Sequence, residues 1–483
     1  AVSGTVVSEV RDDNAVSANI AGGELSEPFD LHSLGDLIVF TAGKEFKVTS
    51  GSATDQITPT NVQVKAITTH GATSADVIEA ADAAVFVQRD GRTLRALRAS
   101  LEQSVDGYRA KDLTIRNPDI GRSGRADAQG AFSELAWAQS PAYQLHAVRN
   151  DGVMPTLTYL PEQEVEAWAR QRFAASAAGA AIVESVAAIP YGGVDQLWMI
   201  VKRTIGGATQ RYVEILEQPM AADDPIEDAF AVDCALTLDN TGTLLGYGTL
   251  TPGTGAGTVD ATGVTFTASV GGFTSNHVGQ RIRYRYVDTA NYRGGRHPIH
   301  KHLVYKTAVA LITARNSSTV VQCTIESAGF VAGTAIAAAD WRLTASTVSG
   351  LDHLEGESVY AWADGAPQGP FTVASGAITL SSAAATVHAG LFDGATFEPI
   401  VGLDREARAR LRKAKCNEIS LYLYRTLGGK VTVYDPEQPE TPYSETILDR
   451  TSASPLGQGP AEFSGWTAPI AVPACTAIRP LSP

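Results

Sequence analysis

The chain has no stretch of about 20 apolar residues, so no membrane-spanning helix is readable in it. The Ala-rich run from Phe173 to Ala181 is too short, and Glu184 soon interrupts the apolar stretch that follows. Cysteine is scarce. Cys234, Cys323, Cys416 and Cys475 stand far apart with no CxxC spacing, which excludes a zinc knuckle or a dithiol redox motif. Such residues fit free thiols of a protein folded in a reducing cytoplasm. No GxSxG elbow, GxGxxG fingerprint or GxxxxGK[ST] loop occurs. The glycine-rich stretch at 253–257 has no helical pattern after it, so it does not read as a phosphate cradle. Basic residues are in deficit: 38 Lys and Arg face 52 Asp and Glu, a net charge of -14. Gripping phosphate backbones takes clustered cations. An acidic wall instead lets a duplex pass without sticking. No basic segment followed by an apolar core opens the chain, so no signal peptide is readable. The segment from Val6 to Pro28 reads as the middle of a β domain, and an N-terminal part is expected to precede Ala1.

What is present is a globular composition, with 44% hydrophobic and 19% charged residues over 483 positions. That length suits about two to four domains. Short apolar runs alternate with turn signals. Asp36–Phe40, Phe46–Thr49, Val62–Ile67, Ala84–Gln88 and Leu197–Val201 are strand candidates. Four strand–turn–strand units recur, over Leu34–Val48, Ala84–Leu94, Leu145–Tyr159 and Leu197–Val213. Their Ala-Gly, Asp-Gly, Asp-Gly and Gly-Gly turns are hairpin signals. Their spacing of roughly 50–60 residues looks like successive propeller blades.

The expected fold class is therefore mainly β. A propeller-like domain is expected over 1–235, a Gly/Thr-rich linker or loop over 236–263 and an inserted small β-barrel over 264–345. A small β-sandwich over 346–401 and a C-terminal β region over 402–483 follow. Helical signal is sparse. Pro161–Ala175 suits a helix N-terminus, yet its VEAW core suits a strand equally. Arg405–Lys415 favours helix, and Glu418–Tyr424 alternates as a strand.

The blocks TAGKEFKVTSG (41–51), ITPTNVQVK (57–65), VFVQRDGRTLR (85–95) and VDGYRAKDLT (105–114) resemble the propeller of bacteriophage tail nozzle proteins, also called tail tubular protein B. So do LHAVRNDGVMPTLTYLPEQEVEAW (145–168), the segment 183–217 and GLDHLEGESVYAWADG (350–365). The most distinctive are the IP…LW…V.RT..G…RYVE and GLDHLEG blocks, and both are structural signatures. The resemblance implies a virion structural subunit, made in the host cytoplasm and built into a homo-oligomeric ring, a hexamer, below portal and adaptor. It implies neighbouring tail proteins and fibres as partners, and double-stranded DNA passing through without sequence-specific binding. No enzyme activity and no cofactor are implied. The stretches 277–285, 309–326 and 339–343 are similar to a small β-barrel module of phage tail and fibre proteins. That module is labelled as similar to a ubiquitin-activating enzyme domain, and no adenylation motif accompanies it.

Three sites compete with purely structural readings. His297, His300 and His302 are spaced to meet one metal, with Asp288 as a further ligand, against a solvated basic loop beside Arg293 and Arg296 or a loop that docks a subunit or fibre. Asp352, His353, Glu355 and Glu357 offer side chains for acid–base work or metal binding, against a turn in which Gly356 supplies a permissive backbone angle. Arg405, Arg408, Arg410, Arg412, Lys413 and Lys415 form a basic run that touches a neighbouring subunit or DNA, against a solvated helix face. Two other function classes stand as rivals. One is a tail fibre or tailspike receptor-binding protein with polysaccharide-degrading activity, for which no β-helix repeat is visible. The other is an extracellular adhesin or lectin-like propeller, for which a secretion signal is expected.

Overall fold

The computed structural model describes residues 15–16, 27–52, 55–99, 107–122, 131–177, 179–218, 220–221, 224–288, 293–294, 301–302, 304–394, 396, 418–426, 428–435, 438–447 and 463–471. The fold is mainly β, arranged in antiparallel sheets. Two compact units divide at Pro219 and Met220.

The first unit holds four sheets in chain order. The first comprises β1 (Pro28–Leu34), β2 (Asp36–Thr41), β3 (Glu45–Thr49) and β4 (Gln63–Thr68). The second comprises β5 (Ile78–Ala80), β6 (Ala83–Val87), β7 (Leu94–Ala99) and β8 (Tyr108–Asp112). The third comprises β9 (Phe132–Ala138), β10 (Gln144–Arg149), β11 (Met154–Leu160) and β12 (Val165–Gln171). The fourth has β13 (Ile182–Tyr191), β14 (Val194–Ile205) and β15 (Ala208–Leu216). Each sheet is a meander, every strand pairing with the next in sequence. The four strand–turn–strand units read from the sequence are the β2–β3, β6–β7, β10–β11 and β14–β15 hairpins. Between β14 and β15, Gly206 and Gly207 hold φ of +56° and +79°. Two positive φ angles in a two-residue turn match the right-handed twist of the strands, and glycine takes them without strain. The ambiguous VEAW stretch is β12, entered through a 3-10 turn at Pro161–Gln163.

Strand alternation dictates how these sheets pack. In β6, Ala84 and Phe86 join Ile38 and Phe40 of the first sheet in one core, while Val85 and Val87 face Leu145, Ala147 and Leu157 of the third. All five residues of β6 are therefore buried, as expected of a strand covered on both faces. The third sheet repeats the pattern: Ala136, Val148 and Met154 turn the other way, onto Val183, Val186, Leu197 and Val201 of the fourth. The sheets thus stack face to face in chain order, with a separate apolar core at each junction.

His146 on β10 is buried in this stack, with Nδ1 3.1 Å from Thr156 Oγ1. Burial lowers its pKa from 6.5 to about 4. The unfolded chain therefore takes up a proton below pH 6.5 that the folded chain refuses until about pH 4. Stability present above pH 6.5 is expected to fall across that window, by up to about 3 kcal/mol for this group. His146→Gln should lose about 2.4 kcal/mol less than the parent between pH 7 and pH 4.5, as urea titrations at the two pH values will show. Equal losses in the two proteins would refute it.

In the second unit, β16 (Asp233–Asp239) does not pair with its sequence neighbours. It pairs with β29 (Thr386–Leu391), after an excursion that makes a six-stranded sheet. That sheet contains β17 (Leu250–Pro252), β18 (Val264–Ala268), β19 (Arg281–Val287), β22 (Tyr305–Arg315), β23 (Val320–Ile325) and β24 (Trp341–Leu343), in the order β17-β18-β23-β22-β19-β24. The short pair β20 (Arg293–Gly294) and β21 (Lys301–His302) lies beyond β19 and β22. All six strands send residues into one core, among them Leu250, Phe266, Ile282, Ala310, Val321 and Trp341. The stretch 236–263, expected from composition to be a linker or loop, is mostly loop, but it carries the end of β16 and all of β17 and buries Leu250 and Ala256 in that core. Its low charge suits burial as well as it suits a loop. The chain then forms β25 (Ala345–Ser349), β26 (Ser358–Ala363), β27 (Ala366–Thr372) and β28 (Ala377–Ala384). The resulting sheet has order β16-β29-β26-β27, and β25 pairs with β28. Last come β30 (Glu418–Ile419), β31 (Tyr422–Thr426), β32 (Gly429–Asp435), β33 (Gln438–Ile447), β34 (Phe463–Trp466) and β35 (Ile470–Ala471). They pair as β30–β35, β31–β34 and β32–β33, a nested two-stranded ribbon.

Candidate functional site

The sequence Arg281-Ile282-Arg283-Tyr284-Arg285-Tyr286 alternates strictly, and β19 uses both faces. Ile282, Tyr284 and Tyr286 pack on the six-stranded core. The arginines point the other way, each onto acids. Arg281 binds Glu326 through two hydrogen bonds of 2.7 and 3.1 Å. Arg283 donates to Glu227 at 2.6 Å and lies 3.3 Å from Asp364. Arg285 grips Asp228 with two bonds of 2.7 Å. Thr307 on β22 adds a 2.9 Å bond to Glu227.

Asp364 is buried and also accepts the backbone N–H groups of Ala385 and Thr386. Burial raises its pKa above the ordinary carboxylate value, and Arg283 and the Thr386 N–H pull it down. Arg285 keeps its charge more firmly than usual: burial works against it, and Asp228 and Glu227 outweigh that. Buried ion pairs of this kind fix geometry more than they add stability. Here they join β19 to the turn after β26 and to the segment before β16.

Beside this network, a cleft of about 620 Å³ opens against Tyr284, Tyr286, Asp288, Tyr305 and Arg342. Asp288 is bound to Lys306 at 2.6 Å, which occupies the carboxylate that sequence reasoning offered to a metal. Of the three histidines, His302 lies on β21, where the backbone pairs it with Arg293. His297 and His300 lie outside the described residues. No group of three metal-ligating side chains occurs among the described residues.

The DHLEGE segment is a turn. Glu355 accepts the N–H groups of Ser375 and Gly376 at 2.9 and 2.8 Å, and Nε2 of His353 lies 2.9 Å from the Cys234 carbonyl. Leu351 and Leu354 are buried, and Gly356 has φ of +80°. Glu355 is thus tied to backbone N–H groups of a neighbouring turn. The basic run from Arg405 to Lys415 lies outside the described residues. The arginine–acid network was missed in the sequence because Glu227, Arg283 and Asp364 are far apart along the chain. The alternation of Arg281, Arg283 and Arg285 was the one available signal. Buried Cys323 on β23 has its thiol pKa raised to about 12 by desolvation, so it behaves as a core residue.

No protein-family profile matches the chain, and no curated protein matches it.

Proposed function

We propose that this chain is a structural subunit of a phage tail nozzle, assembled in a ring around a channel that DNA traverses. The observation that supports this best is the stack of meander sheets in the first unit. Three four-stranded sheets and one three-stranded sheet follow one another, each packed on the next. Four-stranded meanders stacked through apolar faces support the reading of successive propeller blades, the architecture that the resemblance implies. The six-stranded sheet inserted between β16 and β25 supports the reading of a separate module there.

The two distinctive blocks carry architecture. IP…LW…V.RT..G…RYVE is β13, β14 and β15, and it supplies the buried Arg203–Glu214 pair. GLDHLEG forms a turn whose Glu355 caps the neighbouring turn at Ser375 and Gly376. Residues that the resemblance singles out thus serve packing and turn geometry.

Retention and release of a genome would then be mechanical. Identical subunits meet through heterologous interfaces that close by rotation. Loops projecting into the bore narrow it until a shift opens the path. Net charge of -14 favours a lumen rich in Asp, Glu, Ser, Thr and Gly, along which DNA slides. Electron microscopy and light scattering of the purified chain, and cryo-electron microscopy of the particle carrying it, test this directly. A closed ring with an acidic channel is the expected outcome. A persistent monomer in both settings, or a strongly basic channel, would overturn the reading.

A further inference from the structure

Between the second and third sheets of the first unit, the stack opens into a cavity of about 550 Å³. Its apolar wall is aromatic. Trp137 of β9 is the central ring, 6.4 Å from Tyr143 at 56° and 6.5 Å from Tyr159 of β11 at 79°. Rings at such angles and distances are in edge-to-face packing contact, and the cavity opens beside them. Tyr159 is buried and anchors the box, and Tyr143 is 39% exposed at its mouth.

The rim is polar and mixed: Glu79, Asp82, Arg98, Gln139, Glu162 and Gln163. The backbone here is unusual. The lining residues Ala81, Asp82 and Tyr143 have φ of +48°, +59° and +50°. Ala81 and Asp82 are the two central residues of the β5–β6 hairpin, where paired positive φ angles suit a two-residue turn, and Tyr143 ends the turn between β9 and β10. Hydrogen bonds hold Tyr143 in that state, from its N–H to the Gln139 carbonyl at 3.1 Å and from the Tyr159 N–H to its own carbonyl at 2.9 Å.

The chemistry of the ligand follows from what already occupies the rings. The Arg98 guanidinium lies 5.6 Å from the centre of the Tyr159 ring and donates to the Ala81 carbonyl. The cation seat on that ring is therefore taken by the protein itself, and a second cation would meet Arg98. An anion would meet three carboxylates. A neutral molecule with many hydroxyl groups meets neither obstacle. The half-buried Trp137 and the exposed Tyr143 receive its C–H surface, carboxylates accept its O–H groups, and amides and guanidinium supply donors. The volume lies within the range of small-molecule sites.

We propose that this cavity is a saccharide-binding subsite for one or two neutral sugar residues. It lies wholly in the first unit and needs no ring, so its fate is separate from that of the nozzle reading. It binds sugar and performs no bond cleavage.

Saturation-transfer NMR on the full chain, with methyl α-D-glucoside, methyl α-D-galactoside, N-acetylglucosamine and maltotriose as probes, tests it. At least one should receive saturation on its ring C–H protons and perturb tryptophan fluorescence. Tyr143→Ala and Glu162→Gln should each weaken that binding about tenfold, the loss of one good contact. Glu162 is exposed at the rim, so its substitution serves even if Tyr143→Ala fails to fold. No transfer to any probe, binding unchanged in Glu162→Gln, or uptake of tetramethylammonium in place of sugar would each overturn the assignment.

Discussion

Replacing Trp341 by alanine should remove about 4 kcal/mol from the stability of the second unit, the cost of deleting a fully buried aromatic side chain. Trp341 is wholly buried at the end of the six-stranded sheet, with ring centroids of Tyr247 and Phe273 at 6.1 and 6.4 Å. Its Nε1 donates to the Gly248 carbonyl at 3.0 Å. The substitution therefore removes packing and also leaves that carbonyl without its indole donor. The neighbourhood is tight. A Cβ placed on Gly242 would stand 2.5 Å from the indole, so Gly242→Ala should also destabilise the unit. Trp341→Phe, which keeps most of the volume, should cost less than Trp341→Ala. Urea denaturation followed by near-ultraviolet circular dichroism measures all three. A loss below about 1 kcal/mol for Trp341→Ala, the scale of a surface change, would mean that this core is not organised around the indole.

The second large effect is expected at Arg203. Its side chain is fully buried, and Glu214 meets it with two hydrogen bonds of 2.9 and 3.1 Å. A third bond runs to the Ala174 carbonyl. Glu214→Ala strips the guanidinium of its counter-charge inside the protein and should cost about 3–5 kcal/mol. The double variant Arg203→Met with Glu214→Leu removes both charges together. It should recover most of the loss, because apolar residues of similar size replace a buried pair at little cost. Thermal unfolding of the two variants beside the parent decides the matter. If the double variant is no more stable than Glu214→Ala alone, the pair contributes more than mutual neutralisation.

These two sites differ in how far the sequence announces them. The DWRL strand is visible as a short apolar run, and Trp341 stands in it. That the indole would join one core with residues of all six strands is not visible, because Leu250, Phe266 and Ile282 come from separate strands. The Arg203–Glu214 pair is hidden more deeply. Strand register sets Arg203 opposite Gln210, and the arginine reaches along the sheet to Glu214. Spacing rules for cross-strand neighbours point to the wrong partner. The aromatic box is dispersed likewise, over Arg98, Trp137, Tyr143 and Tyr159. Three of these look like ordinary core or strand residues when read singly. Composition missed part of 236–263, where low charge and many glycines read as a linker or loop although Leu250 and Ala256 are core residues.

By itself the sequence determined the strands and their turns. Alternation with period two and the Asp-Gly and Gly-Gly pairs act within a few residues, so hairpins such as β14–β15 are written locally. It also determined that β6 would be buried on both faces, since Ala83–Val87 has no polar side chain to offer to water. Only the tertiary structure decided which sheet covers which face. It alone brought Thr237 of β16 to His388 of β29, 151 residues away, around an inserted sheet. The reason is physical: an apolar face demands cover but does not name the partner, and burial is non-directional. The choice falls to chain connectivity and to the few buried charges, such as Arg283 with Glu227 and Asp364, that tolerate one arrangement.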